Sequence, residues 1–316
     1  MTRVAVVGAG AIGGFLASAL ARAGVPVAVV ARGEHAAAIR RDGLRAESDL
    51  GDFRVRVPVD DDLRRLGDFD FLLLTFKAHQ WPELLEQLAP FSDAATTLVT
   101  LQNGVPFWYE REPPLHSVDP AGAIGNLFPD AQVIGGVVHV SGEIAAPGHV
   151  RQSGGLRYVF GDPGGGCGRH TGELIALLEA AGLAPEADEN VRQTVWLKLV
   201  NNVGLNAVSV MRHLTIKPML DNAQTRAQVR ALMLEALEVG RAMGVVGEVD
   251  VDARLAYAAR LRDVKTSMLQ DYERGRRLEI DPILGAVTEL GGRHGVETPC
   301  VAAAYERLRE LEASRR

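Results

Sequence analysis

The sequence predicts an α/β domain followed by an all-α domain, and two observations lead to this prediction. Up to about residue 188, short apolar or alternating runs alternate with helical segments and glycine-rich turns, as in a parallel sheet. Beyond that point only the periodicity of helices is present. We therefore predict domains 1–188 and 189–316, with the boundary in the stretch "LAPEADEN".

The first domain begins with a strand, a glycine turn, a helix and a second strand. "RVAVVGAG" is β-branched and then glycine-rich, "AIGGFLASALARAG" is typical of a helix that ends at Gly24, and "VPVAVVAR" is the next strand. Further strands are predicted in "FRVRVPV", "DFLLLTF", "ATTLVTLQNG", "VIGGVVHVSGEI" and "LRYVFGD", and a helix in "QWPELLEQLAPF". This alternation predicts a parallel sheet with helices on both faces.

The second domain is predicted to be helical throughout. Helical periodicity runs through "ADENVRQTVWLKLVNNVGLNAVSVM", "DNAQTRAQVRALMLEALEVGRAMG" and "DARLAYAARLRDVKTSMLQDYERG". Two further helices have clear starts, because Asp281-Pro282 and Thr298-Pro299 each place a proline after an N-cap type of residue.

The composition argues against several classes of protein. A net charge of -6 lacks the basic excess of nucleic-acid-binding proteins. Glycines interrupt the apolar run 4–21 where a signal peptide or membrane span would have leucine, so we expect no membrane association. Cys167 and Cys300 have no metal or redox spacing and fit a reducing cytoplasm. The histidines lack paired metal-ligand spacing, and we expect no metal site.

The first turn carries the strongest functional signal. Gly8, Gly10 and Gly13 form G-x-G-x-x-G directly after a strand and at the start of a helix. The first glycine permits a tight turn, the second lets the backbone approach a pyrophosphate, and the third allows close packing of helix on strand. A lone match would be weak, but this context is typical of a Rossmann-type dinucleotide-binding domain. The predicted cofactor-binding residues here are Gly8, Ala9, Gly10, Ala11, Ile12 and Gly13.

The end of the second strand indicates which dinucleotide is bound. Binders of NAD usually carry Asp or Glu there for the ribose 2′-hydroxyl, whereas this sequence has Arg32 and no acid at positions 30 to 32. A guanidinium suits a 2′-phosphate, and NADP is therefore favoured. The alternative is that Arg32 is a solvated loop residue and that Glu34 accepts a hydrogen bond from the ribose.

A polar stripe is predicted within an apolar helix of the second domain. In "WLKLVNNVGLNAV", Lys198, Asn202 and Asn206 are four residues apart and would share one helix face. A buried lysine is uncommon without a partner. The stripe therefore faces either solvent or a ligand, and taken alone the segment favours solvent.

With these residues in place, the chain resembles the ketopantoate reductase (2-dehydropantoate 2-reductase) family over nearly its whole length. The resemblance is carried by "GAGAIGG", "FKAHQ", "LQNG", "IGGVVHVSGEIAAPGHV", "WLKLVNN", "SMLQD" and "EID", in that order. It implies a Rossmann domain followed by a helical domain. It also implies NADPH-dependent reduction of ketopantoate to pantoate, a step towards pantothenate and coenzyme A.

The resemblance further implies roles for individual residues. Lys198 would be the catalytic acid, with Glu279 of "EID" beside it and near the cofactor ribose. Lys77, Asn103 and Ser141 would lie at the cofactor. Those that would bind the substrate are Asn103, Asn202, Asn206 and Ser267.

One departure from the family bears on the substrate. The family has a further substrate-binding asparagine about ten residues after Asn206, where this sequence has Ile216. Either this chain lacks one hydrogen bond to a substrate hydroxyl, or His213 or Thr215 supplies it instead. The alternatives to ketopantoate are another small 2-oxo acid or, in a different class, a non-catalytic NADPH-sensing protein. The helical domain is compatible with a homodimer, for which the sequence shows no decisive interface.

Overall fold

The computed structural model describes residues 1–92, 95–260 and 263–315. The chain divides into two compact units. Unit one comprises residues 1–102 and 123–192, and unit two comprises residues 103–122 and 193–316. The domain boundary at 188/189 stays a prediction; by contacts the chain enters unit two at residue 193 and also contributes to it the earlier segment 103–122.

Unit one is built on a ten-stranded sheet within the described residues, in the order β4-β3-β9-β8-β7-β6-β1-β2-β5, with β10 paired to β9. The strands are β1 (Val4–Val7), β2 (Val27–Val30), β3 (Leu44–Ser48), β4 (Gly51–Val55), β5 (Val59–Asp60), β6 (Phe71–Leu74), β7 (Thr97–Thr100), β8 (Val133–Ala146), β9 (His149–Gly161) and β10 (Ala184–Ala187). The helices are α1 (Ala11–Arg22), α2 (Gly33–Asp42), α3 (Trp81–Leu88), α4 (Ala123–Leu127) and α5 (Arg169–Ala180).

The sheet is mixed, so the prediction of a parallel sheet is right for one part and wrong for another. The strands around β1 are parallel, including β2, β6, β7 and β8. β8 and β9 are antiparallel, as are β3 and β4. Only Pro147 and Gly148 separate β8 from β9, and so short a connection can only make a hairpin, because parallel strands need a long crossover.

The centre of the sheet explains the sequence pattern of its strands. β1 lies between β2 and β6 and its four residues are fully buried, which accounts for a continuous apolar run instead of an alternating one. Helix α1 buries Phe15, Leu16 and Leu20 in the same core. The carboxyl ends of β1, β2 and β6 therefore meet at one edge, where ligands of such sheets bind.

From Val191 onward, the described residues form helices and no strand. The helices are α6 (Val191–Asn201), α7 (Ala207–Arg212), α8 (Ile216–Asp221), α9 (Ala223–Ala242), α10 (Val251–Arg260), α11 (Ser267–Glu273), α12 (Ala286–Arg293) and α13 (Pro299–Ala313). Trp196 anchors α6 in unit two, because its buried indole Nε1 donates to the Ala236 carbonyl at 2.9 Å and its ring stacks on Tyr109.

The long helical segment predicted at 252–275 is interrupted. α10 ends at Arg260 and α11 begins at Ser267; Leu261 and Arg262, which the prediction included, lie outside the described residues. Thr266 caps α11 by accepting a hydrogen bond from the Leu269 amide. A threonine N-cap starts a new helix here, which apolar periodicity alone did not indicate.

Across the described ranges, we find no helix with both the length and the apolar character that a membrane span requires.

Candidate active site

The glycine turn after β1 has the geometry of a nucleotide-binding loop. Gly8 adopts φ +107°, and a Cβ atom there would lie 2.8 Å from the Phe76 backbone nitrogen, so only glycine fits. Thr75, directly after β6, donates from Oγ1 to the Gly8 carbonyl at 2.7 Å. Sequence reasoning missed Thr75, although a polar residue at the end of the apolar run "LLL" was a usable signal.

The other two glycines of the motif differ in their surroundings. A Cβ atom on Gly13 would lie 2.1 Å from the Gly8 carbonyl oxygen and 2.3 Å from Thr75 Oγ1, so this glycine lets α1 pack closely on β1. A Cβ atom on Gly10 would meet nothing within 4 Å. Gly10 is the N-cap of α1, where the first amides have no partner within the helix. This open, amide-lined helix start fits a pyrophosphate. Ala9 is buried, and Ala11 and Ile12 are half-buried.

Arg32 lies two residues beyond β2, as the sequence indicated, and it has a partner that sequence reasoning missed. Its Nη1 atom contacts Glu83 Oε2 of α3 at 2.6 Å, with 46% and 60% of the two side chains exposed. Glu34 is exposed in the first turn of α2. The guanidinium is therefore at the expected edge of the sheet, but it is paired with a carboxylate.

The two remaining candidates of unit one lie in different elements. Lys77 is half-buried after β6, where its backbone nitrogen donates to Gln80 Oε1 at 2.9 Å. It thus follows the strand beside β1, close in sequence to the threonine that supports the glycine turn. Ser141 is exposed in β8, opposite Gly154 and next to irregularities in the pairing with β9. Cofactor contacts of both residues stay predictions.

His35 of α2 is a further residue of unit one that sequence reasoning missed. Its Nδ1 atom accepts a hydrogen bond from the Gly148 amide of the β8–β9 hairpin at 3.0 Å. Burial lowers the pKa of His35, and hydrogen bonding to the backbone of Ala9 acts in the opposite direction. His35 therefore ties α2 to the β8–β9 hairpin through an imidazole nitrogen that accepts a hydrogen bond.

In unit two, three predicted residues form one hydrogen-bonded cluster. Lys198 Nζ donates to Asn103 Oδ1 at 2.9 Å, and Asn103 Nδ2 donates to Glu279 Oε2 at 3.3 Å. Glu279 is 5% exposed, and Lys198 is half-buried. The amide of Asn103 thus uses its acceptor on the ammonium and its donor on the carboxylate, so that its orientation is set by both charges.

The Asn-Gly turn places Asn103 in this cluster. Gly104 adopts φ +91°, and a Cβ atom there would lie 2.5 Å from the Pro282 carbonyl oxygen. The Val105 amide donates to the same oxygen at 2.8 Å. Since Pro282 lies three residues after Glu279, this contact brings Asn103 beside the carboxylate. The turn that "LQNG" suggested is therefore the means by which the asparagine is positioned.

The predicted polar stripe lies on a helix that is not regular. α6 and α7 are joined by a π-helical turn, Asn202–Asn206, and a second π turn, Asp281–Gly285, packs against it. Lys198 and Asn202 are half-buried and Asn206 is 5% exposed. The spacing of four that predicted one face assumed an unbroken α-helix, and this assumption is wrong at the π turn. Such turns are frequent at functional sites.

Ser267 follows a threonine whose hydroxyl contacts the helix that carries Asn206. It is the exposed first residue of α11, directly after Thr266. The Thr266 and Ser209 hydroxyls lie 2.6 Å apart, and Ser209 Oγ donates to the Asn206 carbonyl at 2.9 Å. The start of α11 is therefore held against the helical turn that carries Asn206.

The structure also defines the surroundings of Ile216, where the resemblance implied an asparagine. Ile216 is half-buried and begins α8. Thr215 donates from Oγ1 to Asp263 Oδ2 at 2.9 Å, so its hydroxyl proton is already engaged. His213 is exposed, adopts φ 54° and packs its ring on Tyr272.

Within the described part of the chain, no group of three or more His, Cys, Asp or Glu residues has metal-binding geometry.

Comparisons with known proteins agree with this description over both units. The family model described as "Ketopantoate reductase PanE/ApbA" matches residues 4–165, and the corresponding C-terminal model matches residues 190–312. The 2-dehydropantoate 2-reductase of Mesorhizobium japonicum is 37% identical, over 99% of this chain and 98% of that protein.

Solved structures are similar over the same range. A PanE/ApbA family ketopantoate reductase from Ralstonia eutropha JMP134 has a TM-score of 0.87 at 30% identity, covering 99% of both chains. D-mandelate dehydrogenase, solved with NADH and anilino(oxo)acetate, has a TM-score of 0.86 at 22% identity, again over 99% of both chains, and shows the shared fold alone.

Proposed function

The chain belongs to the ketopantoate reductase PanE/ApbA family, and from this membership and the site we propose that it reduces 2-dehydropantoate to pantoate with NADPH. The observation that carries the proposal is the Lys198–Asn103–Glu279 cluster, which aligns a partly buried ammonium with an amide and a buried carboxylate.

Lys198 is the proton donor in this proposal. Reduction of a 2-oxo acid builds negative charge on the keto oxygen, and a positioned ammonium stabilises that charge and delivers a proton to it. Asn103 holds one N–H of the amine, which orients the others. The carboxylate of Glu279 accepts from the same amide and so holds Asn103 in the orientation that faces the amine.

Substrate recognition falls to amides and a hydroxyl in unit two. Asn202 and Asn206 lie on the π turn that follows Lys198, and Ser267 lies at the start of α11. Amides offer both donors and acceptors, which suits a substrate that carries a carboxylate and a hydroxyl. The buried amide of Asn206 would bind the hydroxyl, and the exposed Ser267 would donate to the carboxylate.

Most of the proposed cofactor contacts lie in unit one, and two of them, Asn103 and Glu279, lie in unit two. The residues of the turn from Gly8 to Gly13 hold the pyrophosphate, and Arg32 holds the 2′-phosphate that distinguishes NADP from NAD. Lys77, Asn103, Ser141 and Glu279 complete the proposed set of contacts. When bound, the nicotinamide supplies the hydride.

A second candidate substrate is a different small 2-oxo acid. Where the resemblance implies a substrate-binding asparagine, this chain has Ile216, whose side chain offers no hydrogen bond to a substrate hydroxyl. The hydroxyl of the neighbouring Thr215 already donates to Asp263, so this threonine does not simply take over the role of the asparagine. A non-catalytic NADPH sensor remains the alternative of another class, and the aligned Lys198 cluster argues against it.

The setting of the reaction is also part of the proposal. Free Cys167 and Cys300 suit a reducing compartment, and we propose that the protein acts in the cytoplasm. A related ketopantoate reductase from Staphylococcus aureus is described as dimeric. We propose a homodimer here as well, which light scattering would test.

The decisive experiment measures oxidation of NADPH and NADH with ketopantoate and a panel of other 2-oxo acids. The proposal expects NADPH-selective turnover of ketopantoate. Replacing Lys198 with alanine should lower kcat by a factor of about 10² to 10⁴ and change the Kd for NADPH less than about twofold. Equal loss of NADPH binding would refute the assigned role of Lys198. Turnover of another 2-oxo acid alone would move the substrate and keep the chemistry.

A further inference from the structure

We propose that Glu83 limits the preference for NADPH over NADH, because it competes with the cofactor's 2′-phosphate for the guanidinium of Arg32. This inference rests on the proposed function in one respect, namely that Arg32 is the 2′-phosphate ligand. Glu83 would act through Arg32 and through its own charge.

The positions of the two residues in the fold support a direct competition. Arg32 follows β2 and Glu83 lies in the first turn of α3, which follows β6. β2 and β6 are the two neighbours of β1, and the glycine turn leaves the end of β1 between them. The Arg32–Glu83 contact at 2.6 Å therefore joins the two sides of the edge at which the adenosine half of a dinucleotide binds.

The charges determine which cofactor is affected. A phosphate monoester carries a charge of about −2 at neutral pH and takes up the donors of a guanidinium. For NADPH to use Arg32, the contact with Glu83 must be released or shared, and a carboxylate is then left close to the phosphate. NADH has no 2′-phosphate, so it leaves the ion pair intact. Glu83 therefore opposes NADPH and is nearly neutral towards NADH.

The exposure of the pair limits the size of the effect. About half of the Arg32 side chain and more than half of the Glu83 side chain are exposed, and exposed ion pairs contribute little to stability. Replacing Glu83 with glutamine should therefore lower the KM for NADPH about two- to fivefold. The KM for NADH should change by less than that, and the difference between variant and wild type should shrink as salt is raised.

The test compares Glu83→Gln, Glu86→Gln and Arg32→Ala in the full-length protein, with KM and kcat for each nucleotide at low and high salt. Glu86 is exposed on the same helix, so its replacement removes the same charge from α3 and should leave both KM values unchanged. A lower KM for NADPH in Glu83→Gln alone supports the proposal.

The following outcomes overturn the inference. A KM for NADPH that is raised in Glu83→Gln would mean that Glu83 holds Arg32 in place for the phosphate. An equal KM in variant and wild type would mean that the ion pair has no influence on selectivity. If Arg32→Ala keeps the preference for NADPH, the assignment of Arg32 fails, and the role of Glu83 fails with it. If Arg32→Ala loses the preference while Glu83→Gln changes nothing, only the inference on Glu83 fails.

Discussion

Gly10 and Gly13 lie three residues apart at the start of α1, and replacing each with alanine should separate cofactor binding from folding. Gly10 has φ −63° and ψ −168°, which alanine adopts without strain, and its Cβ would meet nothing within 4 Å. In Gly13→Ala, the new methyl group would lie 2.1 Å from a backbone carbonyl oxygen. The two variants therefore add the same methyl group, at Gly10 into open space and at Gly13 against a backbone oxygen.

The expected magnitudes follow from these distances. Gly13→Ala forces β1 and α1 apart by about 1 Å, and overpacking of this kind costs about 3 kcal/mol when the obstacle is backbone. Gly10→Ala should change the free energy of unfolding by about 0.5 kcal/mol, in keeping with a small change at an N-cap. A pyrophosphate that passes over Gly10 would meet the new methyl group. Binding of NADPH should weaken at least about tenfold, or about 1.4 kcal/mol.

The assay combines urea denaturation with titration of NADPH by its fluorescence, for both variants and the wild type. We expect Gly10→Ala to fold normally and bind poorly, and Gly13→Ala to be strongly destabilised. Wild-type affinity in Gly10→Ala would show that the pyrophosphate does not cross this residue. A loss of stability in Gly10→Ala as large as in Gly13→Ala would refute the distinction between the two glycines.

Three further changes test other parts of the structure. Asn103→Ala removes the acceptor that orients Lys198 and should lower kcat about 100-fold; an unchanged kcat in steady-state kinetics would contradict the cluster. Burial lowers the pKa of His35 below its ordinary value of 6.5, so the folded state binds this proton less readily than the unfolded state. Stability from this group is complete above about pH 6.5 and falls below it, and His35→Asn should reduce that loss in urea denaturation at about pH 5 and 7. Tyr158→Phe removes a buried hydroxyl with no hydrogen-bond partner among the described residues and should raise the free energy of unfolding by about 1 kcal/mol; a less stable variant would contradict this.

The geometry of the glycine turn after β1 could be predicted from sequence because its determinants are local. Gly8, Gly10 and Gly13 follow an apolar strand and open a helix, and the structure assigns each glycine the type of surroundings that its place in the motif implied. A turn, a close approach and a packing contact all depend on residues a few positions apart. The partner of Arg32 was not predictable in this way, because Glu83 is 51 residues away along the chain.

The contacts within the polar cluster of unit two could not be predicted from local sequence patterns. Asn103 and Lys198 are 95 residues apart, and Asn103 and Glu279 are 176 apart. Periodicity placed Lys198 on a helix, but a helix pattern does not say which distant side chains meet it. The resemblance to a family supplied the residues, and neither it nor the spacing indicated the π turn at Asn202–Asn206. A π turn depends on tertiary packing and has no simple sequence pattern.

The segment 103–122 explains how Asn103, which follows a sheet strand, comes to contact Lys198. β7 ends at Thr100 in unit one, and the chain joins unit two from residue 103. Its start is fixed by the contact of Gly104 with Pro282.

Farther along the segment, Arg293 of α12 donates to the carbonyls of Pro113 and Pro114, and Glu289 accepts from the amides of His116 and Ser117. Burial acts to raise the pKa of Glu289, but the hydrogen bonds that it accepts outweigh burial and lower the pKa, so the carboxylate is charged when it holds the segment.

Asn103, Lys198 and Glu279 are therefore aligned by contacts within a single compact unit. The orientation of Lys198, the proposed proton donor, is therefore set by folding of that unit, so the cost of ordering it is met before any nucleotide binds.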